Sequence, residues 1–170
     1  MLFVDKAATL LRYTRVDSPV GPLLLVADDA GLRKIYFEKG RDRVRPDSSW
    51  KEDDNFFKGP ISQLRSYFAG KLKEFDLPLA PQGTTFQRDV WQRLCEIPYG
   101  ETISYGQLAR QMGNRNASRA VGLANGSNPI PIVIPCHRVI GSNGKLTGYG
   151  GGLPIKEKLL ALERGQLRLL

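Results

Sequence analysis

The chain has 170 residues, 41% hydrophobic and 25% charged, a globular balance that excludes a wholly disordered chain, and its apolar runs fall far short of the ~20 residues a membrane span needs. Charge at Asp5 and Lys6 arrives too early for a signal-peptide core, and Cys95 and Cys136 cannot build a disulfide framework, so the expected location is cytoplasmic. The formal charge of +8 is uneven, with 14 basic and 12 acidic side chains over residues 1–80 (net +2) against 11 and 5 over 81–170 (net +6).

In chain order, residues 11–16, 22–27 and 32–38 are rich in Leu, Val, Ile, Tyr and Phe and predict strands, the last two joined by an Asp-Asp-Ala-Gly turn at 28–31. Residues 39–55 are polar, contain Pro46 and read as a loop. Phe57, Ile61, Leu64 and Phe68 recur at helical spacing, with Pro60 in the first turn and Gly70 at the C-terminal cap. Residues 71–83, with Pro78, Pro81 and Gly83, read as the connection between two halves.

Thr85 can cap a helix with Phe86, Val90 and Leu94 inward, ending before Pro98. Cys95, beside Trp91, reads as a core thiol. Ser104 and Gln107 form a capping-box pair ahead of Leu108, Ala109 and Met112. After the turn at 113–116, Asn116 can cap a second helix with Ala117, Ala120, Val121 and Ala124 inward and Ser118, Arg119, Gly122, Asn125 and Gly126 outward. Two short helices joined by a Gly-containing turn make a helix-turn-helix candidate, with an ordinary helical hairpin as the alternative. The apolar run 130–134 suits a buried strand, although Pro129, Pro131 and Pro135 bar it from mid-sheet. A turn at Ser142–Gly144, a mobile glycine-rich loop around Tyr149, and a helix opened by Pro154 and stopped at Gly165 complete the chain, with Ile155, Leu159 and Leu162 inward.

Between Glu101 and Glu157 there is no carboxylate, only Arg110, Arg115, Arg119, Arg138, Lys145 and Lys156. Such a stretch suits a polyanion, the alternative being a basic surface kept for solubility. His137 is the sole histidine and follows Cys136. An imidazole or nearby cations would lower the thiol pKa toward a reactive range. Side chains of adjacent strand residues point apart, so contact needs irregular backbone or a bridging water. Glu163 and Glu157 are the candidate carboxylates to orient the imidazole. The alternative is an inert buried thiol beside a solvated histidine. Two Cys and one His cannot supply the four ligands of a structural zinc site, and no metal or cofactor is expected.

The run Pro-Cys-His-Arg-Val at 135–139 resembles the active-site signature of the O6-alkylguanine-DNA alkyltransferases (methylated-DNA–protein-cysteine methyltransferases). Ile-Pro-Tyr-Gly-Glu-Thr-Ile-Ser-Tyr at 97–105, Ser-Arg-Ala-Val-Gly at 118–122, Asn-Pro at 128–129, Gly-Tyr-Gly-Gly-Gly-Leu at 148–153 and Lys-Glu-Lys-Leu-Leu-Ala-Leu-Glu at 156–163 resemble that family in order and spacing. The resemblance covers about residues 84–165; residues 1–80 share only its general character.

The resemblance implies an α/β two-domain chain: a ribonuclease-H-like small sheet domain over 1–80, mainly structural, and a mostly helical winged-helix or helix-turn-helix domain over 84–170 holding both DNA contacts and thiol. It implies direct-reversal repair, in which O6-alkylguanine, and with it O4-alkylthymine, is flipped from duplex DNA and its alkyl group passes irreversibly to Cys136, one lesion per molecule. His137 would deprotonate the thiol through a water, Glu163 orient His137, Asn128 brace the turn, and Tyr149 donate to O6. Arg119 would fill the gap left by the base, Tyr105 would help turn the nucleotide outward, and the helix at 117–126 would enter the minor groove with Ser118, Gly122, Asn125 and Gly126 on the DNA face. The implied partner is double-stranded DNA with alkylated bases, met by a free monomer away from membranes, with cooperative assembly on DNA left open.

Three departures accompany it. The accessory zinc site of some members lacks its ligands here, an extra N-terminal methylphosphotriester domain is not expected, and Cys136 argues against the non-catalytic branch. The competing readings are a DNA-binding protein without chemistry, indifferent to loss of the thiol, and a cysteine hydrolase built on Cys136, His137 and Glu163.

Overall fold

The computed structural model describes residues 3–38 and 44–170. Strands β1 (Arg12–Val16), β2 (Leu23–Asp28), β3 (Gly31–Phe37) and β4 (Lys51–Glu52) form one sheet in the order β3-β2-β1-β4. The first three pair antiparallel and β4 joins β1 parallel. The loop expected at 39–55 therefore contains this short strand, while its residues 39–43 lie outside the described ones. Every residue of β2 is buried, as its unbroken apolar run requires of a central strand. In the β2–β3 turn the Asp28 carboxylate accepts from the Ala30 N–H. Gly31 has φ +141°, and a Cβ there would meet the Pro78 carbonyl at 2.4 Å. That close approach lets residues 78–80 dock on β3, where the Leu32 N–H donates to Pro78 O and the Ala80 N–H to Leu32 O. Buried Arg33 pins the same junction, pairing with Asp28 at 2.9 Å and donating to Ala80 O and Lys6 O.

Helix α1 (Lys58–Phe68) buries Leu64, Tyr67 and Phe68 against the sheet core and ends at Gly70, φ +72°. Helix α2 (Thr85–Leu94) is capped by Thr84, one residue before the expected Thr85, in a capping box with Gln87. Its inward face is Val90, Trp91 and Leu94, whereas Phe86 is 39% exposed. Residues four apart drift by about 40° per step around a helix, which carries Phe86 off the stripe centred on Val90 and Trp91. Cys95, just past α2, is half-buried, and burial pushes its thiol up to about 11.

Strand β5 (Ile103–Ser104) runs into α3 (Tyr105–Gln111), whose capping box is the expected Ser104–Gln107 pair. Asn114, not Asn116, caps the 3-10 turn Arg115–Ala117 that leads into α4 (Ser118–Gly126). Val121, Ala124 and Asn125 face inward while Ala120 is exposed, because the extra turn rotates the helix relative to the phase assumed from an Asn116 cap. Residues 130–135 are buried but form turns rather than a strand, since the prolines at 129, 131 and 135 remove donors a ladder needs. Strand β6 (Val139–Ile140) pairs parallel with β5, and α5 (Leu153–Glu163) closes the chain with Pro154 in its first turn and Gly165, φ +70°, after its end.

One hydrophobic cluster joins Leu25, Phe57 and Tyr67 of the first half to Trp91, Val121, Ile134 and Leu159 of the second. Because neither half owns a separate core, the chain is expected to melt in a single calorimetric transition; two resolved heat-capacity peaks would contradict this.

Candidate active site and DNA-facing surface

The segment before Cys136 is fixed by Asn128. Its carbonyl oxygen accepts from the Ile130 N–H at 2.9 Å and its amide donates to Ile134 O at 2.8 Å, while the Ile134 N–H closes onto Ile130 O. Within this loop Ile132 has φ +75°, which among the described residues no other non-glycine residue shares. Pro135, at φ −82° and ψ 63°, forms an inverse γ-turn closed by the Cys136 N–H on Ile134 O at 2.8 Å. A 3-10 turn over Cys136–Arg138 follows, so the backbone is irregular at the adjacent Cys136 and His137.

Glu163 gathers this turn onto α5. Its carboxylate accepts from His137 Nε2 at 2.6 Å, Arg138 Nε at 2.9 Å and Nη2 at 3.0 Å, Tyr67 Oη at 2.7 Å and the Gly100 N–H at 3.3 Å. Burial alone would raise its pKa, but the hydrogen bonds from His137 and Arg138 and the Arg138 charge outweigh this and hold it well below the usual carboxylate range. His137 is fully buried, and burial lowers its pKa against the opposing pull of Glu163. Arg138 already balances the carboxylate, so the imidazole rests neutral, with Nε2–H donated to Glu163. That tautomer leaves the Nδ1 lone pair free, and Nδ1 is buried without a hydrogen-bond partner among the described residues. Of the two carboxylates considered, Glu163 is in place; Glu157 is exposed.

The thiol departs from expectation. Burial pushes Cys136 up to about 11, against weaker opposing effects from Asn128 and Lys156. A thiol at that value is about one part in ten thousand ionised at pH 7, so it rests protonated. Cys136 lines a cavity of about 300 Å³ together with Tyr149, Asn125 and β3 residues Lys34–Phe37. Tyr149 Oη and Asn125 Oδ1 are buried there without hydrogen-bond partners among the described residues. Burial holds the Tyr149 hydroxyl far above its ordinary pKa, so it remains a donor. Asn125, placed on the DNA face by sequence reasoning, is 5% exposed and belongs to the cavity wall. The helix phase again explains the difference, since Asn125 follows Val121 and Ala124 on the inner stripe.

The outer face of α4 presents Arg119 and Gly126, with Ser118 and Gly122 half-buried. The Tyr105 ring lies against α4, 3.7 Å from a Cβ built at Gly122, and its hydroxyl accepts from Thr147 at 3.2 Å. A Cβ at Gly126 would meet nothing, so no internal packing demands that glycine. Leu123, one turn beyond Arg119, is 71% exposed and escaped sequence reasoning because a lone Leu in an amphipathic stretch reads as core. Two cations of the carboxylate-free stretch turn inward: Arg138 to Glu163 and Ile97 O, and Lys156 to the carbonyls of Val139 and Thr147. Tyr67, Gly100 and Arg138, which complete the Glu163 cluster, had no local sequence signal, because their partner lies 25 or more residues away.

Residues 11–81 match the family model described as the ribonuclease-like domain of 6-O-methylguanine DNA methyltransferase, and residues 85–165 match its DNA binding domain. A methylated-DNA–protein-cysteine methyltransferase of Methanosarcina acetivorans is 57% identical over 151 residues, covering 89% of this chain and 97% of the relative. One of Mycobacterium tuberculosis is 50% identical over 158 residues, covering 92% and 94%. The crystal structure of M. tuberculosis OGT in complex with DNA matches with a TM-score of 0.84 at 50% identity, covering 91% of this chain and 94% of that one. The α/β fold with a ribonuclease-like sheet part and a helical DNA-binding part stands accordingly. With both parts matched and relatives this similar over nearly its whole length, the chain belongs to the 6-O-methylguanine DNA methyltransferase family.

Proposed function

We propose that this protein repairs alkylated DNA by direct reversal, taking the alkyl group of O6-alkylguanine, and of O4-alkylthymine, onto Cys136. The observation that carries the reading is a buried thiol lining a base-sized cavity, next in sequence to an imidazole whose free Nδ1 is backed by Glu163. Residues 84–170 hold DNA and thiol, and residues 1–80 form the domain that supports them. The free protein is a monomer that acts in the cytoplasm. Among the described residues no helix is long and apolar enough to cross a membrane.

The O6 of a paired guanine lies inside the stack, so the nucleotide must be turned out at a cost of a few kcal/mol. Arg119 on the exposed face of α4 fills the gap, and Tyr105 turns the flanking phosphate. Ser118, Gly122 and Gly126 permit close approach to the minor groove, and Leu123 packs on its sugar walls. In the cavity the Cys136 proton passes through a water to His137 Nδ1. The sulfur pair attacks the alkyl carbon, the carbon–O6 bond breaks, and its electrons move to O6. Tyr149 donates to O6 as charge develops there, and the proton held by His137 returns through solvent to the guanine. The product is a thioether with no electrophilic carbonyl, so water does not regenerate the thiol. Resting as a protonated thiol, Cys136 is protected from adventitious oxidation until a base fills the cavity.

Intact mass after mixing with excess duplex containing O6-methylguanine is expected to rise by one methylene, at Cys136, and to saturate at one per molecule; Cys136→Ala should show none. Repaired DNA in molar excess over protein would rule out the irreversible acceptor.

Two further outcomes follow from the charges. If His137 removes the thiol proton, the single-turnover rate should be flat from about pH 7 to 9 and fall in acid, below the ordinary imidazole value, as Nδ1 protonates. A tenfold rise per pH unit over that range would instead indicate a preformed thiolate. With only Arg110, Arg115, Arg119 and Lys145 of the carboxylate-free stretch exposed, log affinity for undamaged duplex should fall with log salt at a slope of about −3.6, against about −5.4 if all six cations met phosphate.

A further inference from the structure

The Cys136 cavity is not built by the second half alone. Strand β3 lies at one edge of the sheet, and its outer side abuts the active-site turn: the Ile35 N–H donates to Pro129 O at 2.9 Å, next to Asn128. Two residues on, the Phe37 ring meets Tyr149 with centroids 5.8 Å apart and planes at 59°. The packing beside this contact, at Gly151, is close. A Cβ at Gly151 would come within 3.0 Å of two Phe37 ring carbons and 3.2 Å of Ile155 Cδ1. Phe37, Tyr149 and Cys136 line the same cavity.

On the alkyl-transfer reading, the attacked carbon lies between the Cys136 sulfur and O6. Any substituent beyond that carbon must spread sideways into the cavity. One boundary there is the turn that Asn128 fixes by two hydrogen bonds. The other is Tyr149, whose ring has Phe37 against it. From this we infer that Phe37, supplied by the ribonuclease-like half, is a specificity-determining residue that sets the largest alkyl group the site accepts. It acts by fixing how far the Tyr149 loop can recede, and it contributes no proton or charge. The inference rests on the alkyl-transfer reading and would make the first half part of the substrate site as well as its support.

The test is the ratio of single-turnover transfer rates from duplexes carrying O6-benzylguanine and O6-methylguanine, measured for the wild-type protein, Phe37→Leu and Phe37→Trp. Leucine shortens the wall and should raise the benzyl-to-methyl ratio about tenfold, the discrimination a small change in an apolar pocket gives. Tryptophan extends it and should lower the ratio. Opposite shifts in the two variants are not produced by a general loss of folding, which slows both substrates together. An unchanged ratio, or a shift in the same direction in both variants, overturns the inference while wild-type methyl transfer stands. Wild-type protein that transfers neither group overturns the alkyl-transfer reading, and this inference with it.

Discussion

The carboxylate of Glu163 is the interaction on which the rest of the site depends. It sits in the core at the end of α5 and accepts from Tyr67 of the sheet half, Gly100 of the α2–β5 connection, and His137 and Arg138 of the active turn. An ionised carboxylate in that setting is tolerated only because donors surround it. The arrangement performs two tasks with one charge. It orients the imidazole by holding Nε2–H, and it lets Arg138 carry the balancing positive charge so that His137 need not. Replacing either task would disturb the other, since loss of the carboxylate would leave a buried guanidinium unpaired.

The thiol is the counterpart of this economy. A cysteine near cations would be expected to ionise, yet Lys156, the cation whose charge acts on it, is committed to two backbone carbonyls, and burial dominates. On the proposed mechanism, reactivity therefore resides in a proton acceptor that is ready, rather than in a thiolate that waits. If the thiol is used once, as proposed, such restraint conserves the protein for its substrate.

Much of this was legible in the sequence because the signals were local. The capping box at Ser104 and Gln107, the Pro154 start and Gly165 stop of α5, and the three long strands each depend on residues within a few positions. The Cys-His dipeptide and the carboxylate-free stretch were legible for the same reason. Helix phase was harder. An extra 3-10 turn before α4 put Asn125 inside and Ala120 outside, and no pattern among small residues could fix that rotation. The destination of Arg138 and Lys156 was also hidden, because a basic residue in a basic stretch reads as surface until its distant partner is known. The role of β3 at the cavity was hidden most deeply, since Phe37 lies 112 positions before Tyr149 in the chain yet shares its cavity.

The backbone of Ile132 has a mechanical consequence. A β-branched residue at φ +75° holds roughly 1–3 kcal/mol of conformational strain, and here it sits inside the loop that Asn128 clamps at both ends, four residues before the nucleophile. The clamp works as a latch on a loaded spring. A group newly bonded to the sulfur has to find its volume in a packed turn, and yielding at the latch would release the stored strain as well as the crowding. The two Asn128 hydrogen bonds are what hold this unfavourable backbone in place, so the turn that carries the thiol is kept in shape by side-chain bonding rather than by the local preference of its own residues.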